Sequence, residues 1–487
     1  MTQPRAAAVV PRLRDGRVLV GLRTRLARSW PGTLAFPGGA CDEGDDALPL
    51  FSSVRSSPRA CALRELGEET GLWRMCRADG SLDSAAATAC VRDLLAGATL
   101  ASALAQHRLV LDDRDLAPLV SWQTWDGRFT VPQFILPIDA DVEPERHPIG
   151  IEELADLRFI SPRLLREAWR RGEIFLIPPI RRIVVELAKH EHDLARALPA
   201  LRAQPTTGER ARHDLVEGVC MLPARSPTLP PATHTNAVLL GSGDALLVDP
   251  ATPWPEEQVR FDRQLAACLQ GHRLQAIVCT HHHVDHVGDV ERLARKHSCP
   301  VWAHQETASL VPFAVDRILQ DGEVLECPGP VPRAFRVVFT PGHAPGHICL
   351  FEENTRLLVA GDMVAGIGSI IIDPPEGHMA TYLASLERLI ALAPRALIPA
   401  HGSLLVDGVG RLQEQLAHRG QRQAAVHAQL GDAPGVSVGE IVRAVYGADT
   451  PPSMFSFAER SVLAALELCR ERKQAMTDGR SWWRSPD

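Results

Sequence analysis

The stretch THHHVDHVGD, residues 280–289, decides the reading of the C-terminal half of this 487-residue chain. It follows the apolar run LQAIVC, residues 274–279, which predicts a short buried strand ending where the histidines begin. His281, His283, Asp285 and His286 form an H-x-H-x-D-H pattern. Four ligand-type side chains within six residues crowd a single zinc, but they can be shared between two. Three more such residues each follow an apolar, strand-like run: His343 in TPGHAPGH, Asp362 in VAGDMV and His401 in LIPAHG. Zinc takes neutral imidazole nitrogen and carboxylate oxygen, and a catalytic site keeps one position open for water. A single histidine is usually a packing or surface residue, and chance does not readily place a whole ligand set at successive strand ends.

These motifs, in this order, resemble those of the metallo-β-lactamase superfamily over approximately residues 214–408. The resemblance implies an αββα fold, opened by the hairpin pattern NAVLLGSGDALLVDPA, and two zinc ions. It implies that His281, His283 and His343 hold one metal, that Asp285, His286 and His401 hold the other, and that Asp362 bridges them. An Asp at 362 suits the glyoxalase II-like and nuclease branches. Asp285 is expected to be catalytic as well as a ligand. His282 is expected to point away, with His304 and His347 structural and Cys279 in the core.

Toward the C-terminus come three helical patterns, GVGRLQEQLAHRGQRQAAVHAQL, SVGEIVRAVYG and FSFAERSVLAALELCRERKQ. They are similar to the winged-helix extension of the β-lactamase-like protein 2 group, whose relatives include single-stranded-RNA endonucleases and carrier-bound thioesterases. This predicts a small α-rich extension over 409–475 and a tail over 476–487, in which Trp482 and Trp483 are free to dock. From Asp214 onward, 31 acidic and 23 basic residues leave a net −8, which weakens the case for RNA because phosphate contacts need clustered Arg or Lys. Thioester and phosphodiester substrates both stay open for this half.

Working toward the N-terminus, RAQPTTGER marks a linker, expected over 196–213. Ahead of it lies SSPRACALRELGEETGLW, residues 56–73. Ser57 is the expected helix cap, Pro58 suits the first turn, and Gly71 suits the position past the helix end. Glu65, Glu68 and Glu69 then share one helical face, a repulsive arrangement that a hard divalent cation relieves. A solvated acidic face is the plain alternative.

FPGG at 36–39 and RELGEETG at 64–71 resemble the Nudix box, and the likeness extends over roughly residues 5–195. Asp45 replaces the usual Glu, and 18 residues separate it from Arg64 where the family has seven, an insertion of 11. Pro49, Ser52, Ser53 and Ser56 place the insertion in a loop before the cap, which leaves the carboxylate geometry intact. The resemblance implies an α/β/α fold over 1–195, Mg²⁺ or Mn²⁺ on Glu65, Glu68 and Glu69, catalytic roles for Glu69 and Arg64, and Arg64 paired with Asp45. The segments SWQTW, GRF, FIL and RGEIFLIPP look most like the coenzyme A diphosphatase branch.

The expectation is a bifunctional metallohydrolase, joining a Mg-dependent diphosphatase to a dizinc enzyme cleaving a thioester or RNA. The alternative makes the N-terminal part a non-catalytic nucleotide or coenzyme A sensor. Eleven scattered cysteines with no C-x-x-C pair suit free thiols in a reducing compartment. With no long apolar run and no secretory signal pattern, the chain is expected in the cytoplasm and off the membrane.

Overall fold

A computed structural model describes residues 6–485 except 26, 28, 29, 124–129, 140–152, 191, 192, 204–211 and 448–451. The chain divides into two compact units, Met1–Glu217 and Gly218–Asp487. The expected GRF segment, residues 127–129, and residues 204–211 of the expected linker lie outside the described residues.

In the first unit, alternation along the strands builds two cores. In Ala6–Leu13 and Val18–Arg23, Ala7, Val9 and Leu19 face one apolar layer while Val10, Val18 and Val20 face another. Strands Leu34–Ala35, Val18–Arg23, Ala6–Leu13, Thr130–Ile138 and Ala117–Gln123 adjoin in that order. Ala6–Leu13 runs parallel to Thr130–Ile138, with Val9 beside Phe134. Helix Ser57–Thr70 covers one face through Leu63 and Leu66. Helix Pro178–His190 covers the other through Ile180, Ile183, Val184 and Leu187, a helical spacing on one stripe. The result is an α/β/α sandwich.

Two expectations in this unit are corrected. The linker was expected to begin at 196, but Leu194–Arg202 is helical and buries Ala197 and Leu201 against the second core. The cap of the glutamate helix is Ser56 rather than Ser57, because the N–H groups of Arg59 and Ala60 already bond the Ser56 carbonyl (3.0 and 3.1 Å). Gly71 ends that helix in the left-handed conformation, φ 71°, as its place in the sequence predicts.

The second unit contains two sheets, each buried on both faces. One includes Val219–Arg225, His234–Leu240, Ala245–Val248, Leu274–Val278, Val301–His304 and Arg317–Leu319. Helices Pro255–Leu269 and Val290–His297 pack on its outer face through Phe261, Leu265 and Leu293. The other sheet runs Val324–Cys327, Arg333–Phe339, Ile348–Glu352, Leu357–Gly361, Ala396–Pro399 and Leu405–Val406, with Met379–Ala391 against it. Leu246, Val248, Leu357 and Val359 alternate with the outward-packed residues and are also buried, so the layers are α, β, β and α. Asn236 ties the sheets at one end, donating from Nδ2 to the carbonyls of Pro399 and Gly402.

Helices Gly408–His427, Val438–Tyr446 and Pro452–Glu471 follow, with a core including Val426, Ile441, Val442, Val462 and Leu466. The expected tail from 476 is not loose. Ala475–Thr477 pairs antiparallel with Trp482–Arg484, and Trp482 is buried in that same core. Strands of three residues are too short to show alternation, which hid them in the sequence. Among the described residues no helix is long and apolar enough to cross a membrane.

Candidate metal centres

Strand Leu274–Val278 delivers the histidine stretch to the end of the first sheet. Asp249, at the end of the neighbouring strand and in the left-handed region (φ 48°), anchors it there. One Asp249 oxygen accepts the Thr280 N–H (2.8 Å); the other accepts Thr280 Oγ1–H (2.6 Å) and bonds His286 Nδ1 (2.9 Å). The seven expected ligands converge. Three groups each lie with ligand atoms within 4.8 Å: His281, His283 and His343; Asp285, His286 and His401; and His281, His286 and Asp362.

The hydrogen bonds on the far side of each ring fix where its lone pair points. Thr280 Oγ1 gives its one proton to Asp249, so it accepts from His281 Nδ1 at 3.0 Å, leaving Nε2 as an acceptor. His343 Nδ1 donates to the Ile371 carbonyl at 2.8 Å, and His401 Nδ1 to the His234 carbonyl at 2.9 Å. His283 Nε2 bonds the Glu376 carboxylate at 2.8 Å, which leaves Nδ1 as its inward atom. His281 Nε2 and His343 Nε2 each lie 3.0 Å from that Nδ1. Lone pairs facing one another at this range repel unless a cation lies between them. Nitrogens bound to one tetrahedral zinc at 2.0–2.1 Å stand about 3.3 Å apart, close to what is found.

Asp362 sits between the two groups. One of its oxygens is 3.4 Å from His343 Nε2 and 3.6 Å from His286 Nε2, and the other is 3.5 Å from His401 Nε2. Asp285 lies 3.5 Å from His401. His286 Nε2 and Asp362 Oδ1 are buried without a hydrogen bond, which is costly for polar atoms unless something absent from the chain completes them. The donor set therefore fits two divalent cations. Burial pushes His281 well below the ordinary imidazole range and His343 down to about 4, so both rings are neutral and ready to ligate. His286 is also opposed by burial, but Asp362, Asp285 and Asp249 outweigh it and hold its pKa high; there a proton takes the place a cation would fill.

Several residues around the centre were not singled out in the sequence. Asp249 and Glu376 orient ligands. His347, which the sequence marks as structural, accepts the Asp362 N–H at 3.0 Å. Gly361 (φ 50°) must lack a side chain, since a Cβ there would stand 2.6 Å from His347 Nε2. His282 does turn from the cluster, to lie 3.3 Å from Glu376. His304 stacks on Phe339, and Cys279 is fully buried in the first sheet's core. The cluster opens into a cavity of about 700 Å³ whose lining includes Leu229, Val284, Ile367, Ile370, Met379 and Phe457.

The glutamate helix presents a different picture. Arg64, buried, grips Asp45 with two bonds (2.9 and 3.1 Å), so Asp reaches as far as the longer Glu was expected to. The inserted residues are tied down as well: Asp113 accepts from Ser52 N, Ser52 Oγ and Arg59 Nε. Arg64 Nη1 also meets Glu68 at 2.8 Å and Glu65 at 3.0 Å, and Glu69 accepts the Gly38 N–H at 2.8 Å. A Cβ on Gly39 would lie 2.4 Å from Glu65, so the glycine lets that carboxylate approach the loop. The three glutamates share a face but are not among the groups that converge within 4.8 Å. Burial first, and for Glu69 the neighbouring Glu65, raises Glu65 to about 7 and Glu69 to about 8.

Comparison with known proteins matches residues 230–401 to the family model of the metallo-beta-lactamase superfamily and residues 2–89 to that of the NUDIX domain. Lactamase-like protein vrtG of Penicillium aethiopicum is 32% identical over 266 residues, covering 52% of this chain and 78% of that protein. An atrochrysone carboxyl ACP thioesterase of Aspergillus fumigatus is 26% identical, over 49% of this chain and 77% of that protein. A beta-lactamase-like protein 2 homolog of Caenorhabditis elegans is also 26% identical, over 49% of this chain and 79% of its own length.

Proposed function

Because the chain belongs to the metallo-β-lactamase superfamily and carries a Nudix domain at its N-terminal end, we propose that it is a two-site metallohydrolase whose C-terminal site cleaves acyl thioesters and whose N-terminal site cleaves a diphosphate conjugate. One observation carries the thioester reading: the ligand cluster shares its cavity with a set of apolar side chains, Leu229, Val284, Ile367, Ile370, Met379 and Phe457. Leu229, Val284 and Ile367 line it and are among the large hydrophobic residues left exposed, as suits an acyl chain entering from solvent. The thioesterase among the similar proteins supports the same reading.

His281, His283 and His343 would hold one zinc, Asp285, His286 and His401 the other, with Asp362 shared. When bound, such ions polarise a carbonyl and lower the pKa of water toward neutrality. The chain's own residues keep His281 and His343 neutral and aim the imidazoles inward. Arg419, Arg422 and Arg460 also line the cavity and favour the RNA reading, but Arg460 is already paired with Asp373 at 3.1 Å. We read the C-terminal helices and hairpin as a winged-helix-like extension that shapes this cavity.

In the N-terminal unit Glu65, Glu68 and Glu69 would take Mg²⁺ or Mn²⁺, hard ions suited to oxygen ligands and to a bound diphosphate. Asp45 keeps the Arg64 charge beside them, and coenzyme A or a related nucleotide conjugate is the substrate class. The test incubates an acyl-coenzyme A with the full chain, Zn²⁺ and Mg²⁺, and identifies products by mass spectrometry beside Asp285→Ala and Glu69→Gln. Free coenzyme A missing only with Asp285→Ala, and the phosphorylated adenosine fragment missing only with Glu69→Gln, is the expected result. Intact substrate in every lane rejects both activities, and tight coenzyme A binding without product makes the first unit a sensor.

A further inference from the structure

His283 is the ligand that packing fixes least. Its side chain is 31% exposed, whereas that of His286 is fully buried and those of His343 and His401 are 8% exposed. A ring on the cavity side with two nitrogens of similar shape needs something other than packing to choose which one faces inward. The segment from Ile370 to Glu376 supplies it. Glu376, 93 positions along the chain, lies 2.8 Å from His283 Nε2 and 3.3 Å from His282 Nε2, so one carboxylate answers two neighbouring rings. A carboxylate is acceptor-only when ionised, so the facing His283 nitrogen carries the proton and the inward Nδ1 does not. Five residues earlier, the Ile371 carbonyl does the same for His343. Two of the three imidazoles of one group therefore take their orientation from a single strap.

The C-terminal helices hold that strap. Arg419 Nη2 donates to the Ile370 carbonyl, Arg460 pairs with Asp373 at 3.1 Å, and Glu471 meets His378, just past the strap, at 2.7 Å. We propose that Glu376, steadied by His282, is the positioning residue that presents His283 Nδ1 to the first metal, and that the 370–376 strap gives that metal its dependence on the C-terminal helices. The inference rests on the two-metal reading above. Outer partners that orient a ligating histidine are typically worth 10- to 100-fold in metal affinity.

The experiment titrates zinc into full-length wild type, Glu376→Ala, Glu376→Gln and His282→Ala against a chromogenic chelator, and records the visible spectrum after cobalt loading. Glu376→Ala is expected to weaken one of two metals by roughly 10- to 100-fold, leave the other unchanged and alter the cobalt bands. Glu376→Gln, whose amide oxygen still accepts the Nε2 proton, is expected to recover most of the loss, and His282→Ala to fall between them. Glu376 is 41% exposed, so its replacement should not unfold the chain; a thermal melt checks this, and Gln against Ala separates orientation from folding. Two zinc ions held as tightly by Glu376→Ala as by wild type overturn this inference alone. A wild-type chain that takes up no zinc overturns the two-metal reading and this inference with it.

Discussion

In the C-terminal unit, imidazoles and carboxylates are left with lone pairs turned toward one another and with His286 Nε2 and Asp362 Oδ1 unanswered. In the N-terminal unit, Glu65 and Glu68 are already answered by Arg64, and Glu69 by the Gly38 N–H. The difference lies in the outer partners. Asp249, Glu376, Ile371 and His234 draw the outward side of each ring away from the centre, so the histidine cluster is preorganised for cations and strained without them. The glutamate helix is content without metal. A cation there must compete with a guanidinium and displace protons, which suits an ion that arrives with its phosphate-bearing substrate.

The comparison can be broken one site at a time. Asp362→Ala removes the shared ligand, and the thioesterase rate should fall by about 10³-fold while the diphosphatase rate holds, measured side by side on one acyl-coenzyme A. Glu69→Gln should do the reverse, lowering the diphosphatase about 10²-fold and sparing the thioesterase, as product ratios would show. Equal losses in both activities from either variant would mean that the two sites are not independent.

Removing an outer partner sharpens the contrast. Asp249→Asn keeps the size but leaves one fewer acceptor for the Thr280 and His286 protons, so zinc affinity should drop roughly 10- to 100-fold in chelator competition. The remaining expected effect is on pH. With Glu65 raised to about 7 and Glu69 to about 8, protons occupy the site below those values and must leave for Mg²⁺ to bind. Mg²⁺ affinity should therefore climb from pH 6 to pH 8 by about tenfold per unit for each proton displaced. A flat calorimetric profile over that range would show that Arg64 keeps the carboxylates ionised.

The ligands themselves were legible because each is a chemically distinctive residue placed after an apolar run, as at His281, Asp362 and His401. Their orienting partners were not. Asp249 and Glu376 are single acids of a kind that usually faces solvent, and the Ile371 and His234 contacts use backbone carbonyls, which no residue type announces. The two layered folds were implied by the resemblances to the metallo-β-lactamase superfamily and the Nudix box, and strand alternation and helical spacing build them. The cap at Ser56, the end of the helix Leu194–Arg202 and the hairpin around Trp482 were missed because a one-residue shift, a proline inside a helix (Pro199) and three-residue strands obscure the pattern.

The most direct test of the account counts zinc. Native mass spectrometry of the zinc-loaded full chain should find two ions in wild type and in Glu69→Gln, and fewer in Asp362→Ala. Wild type carrying no zinc, or Asp362→Ala holding both ions as firmly as wild type, would contradict the claim that the converging histidines and Asp362 form a shared two-metal centre.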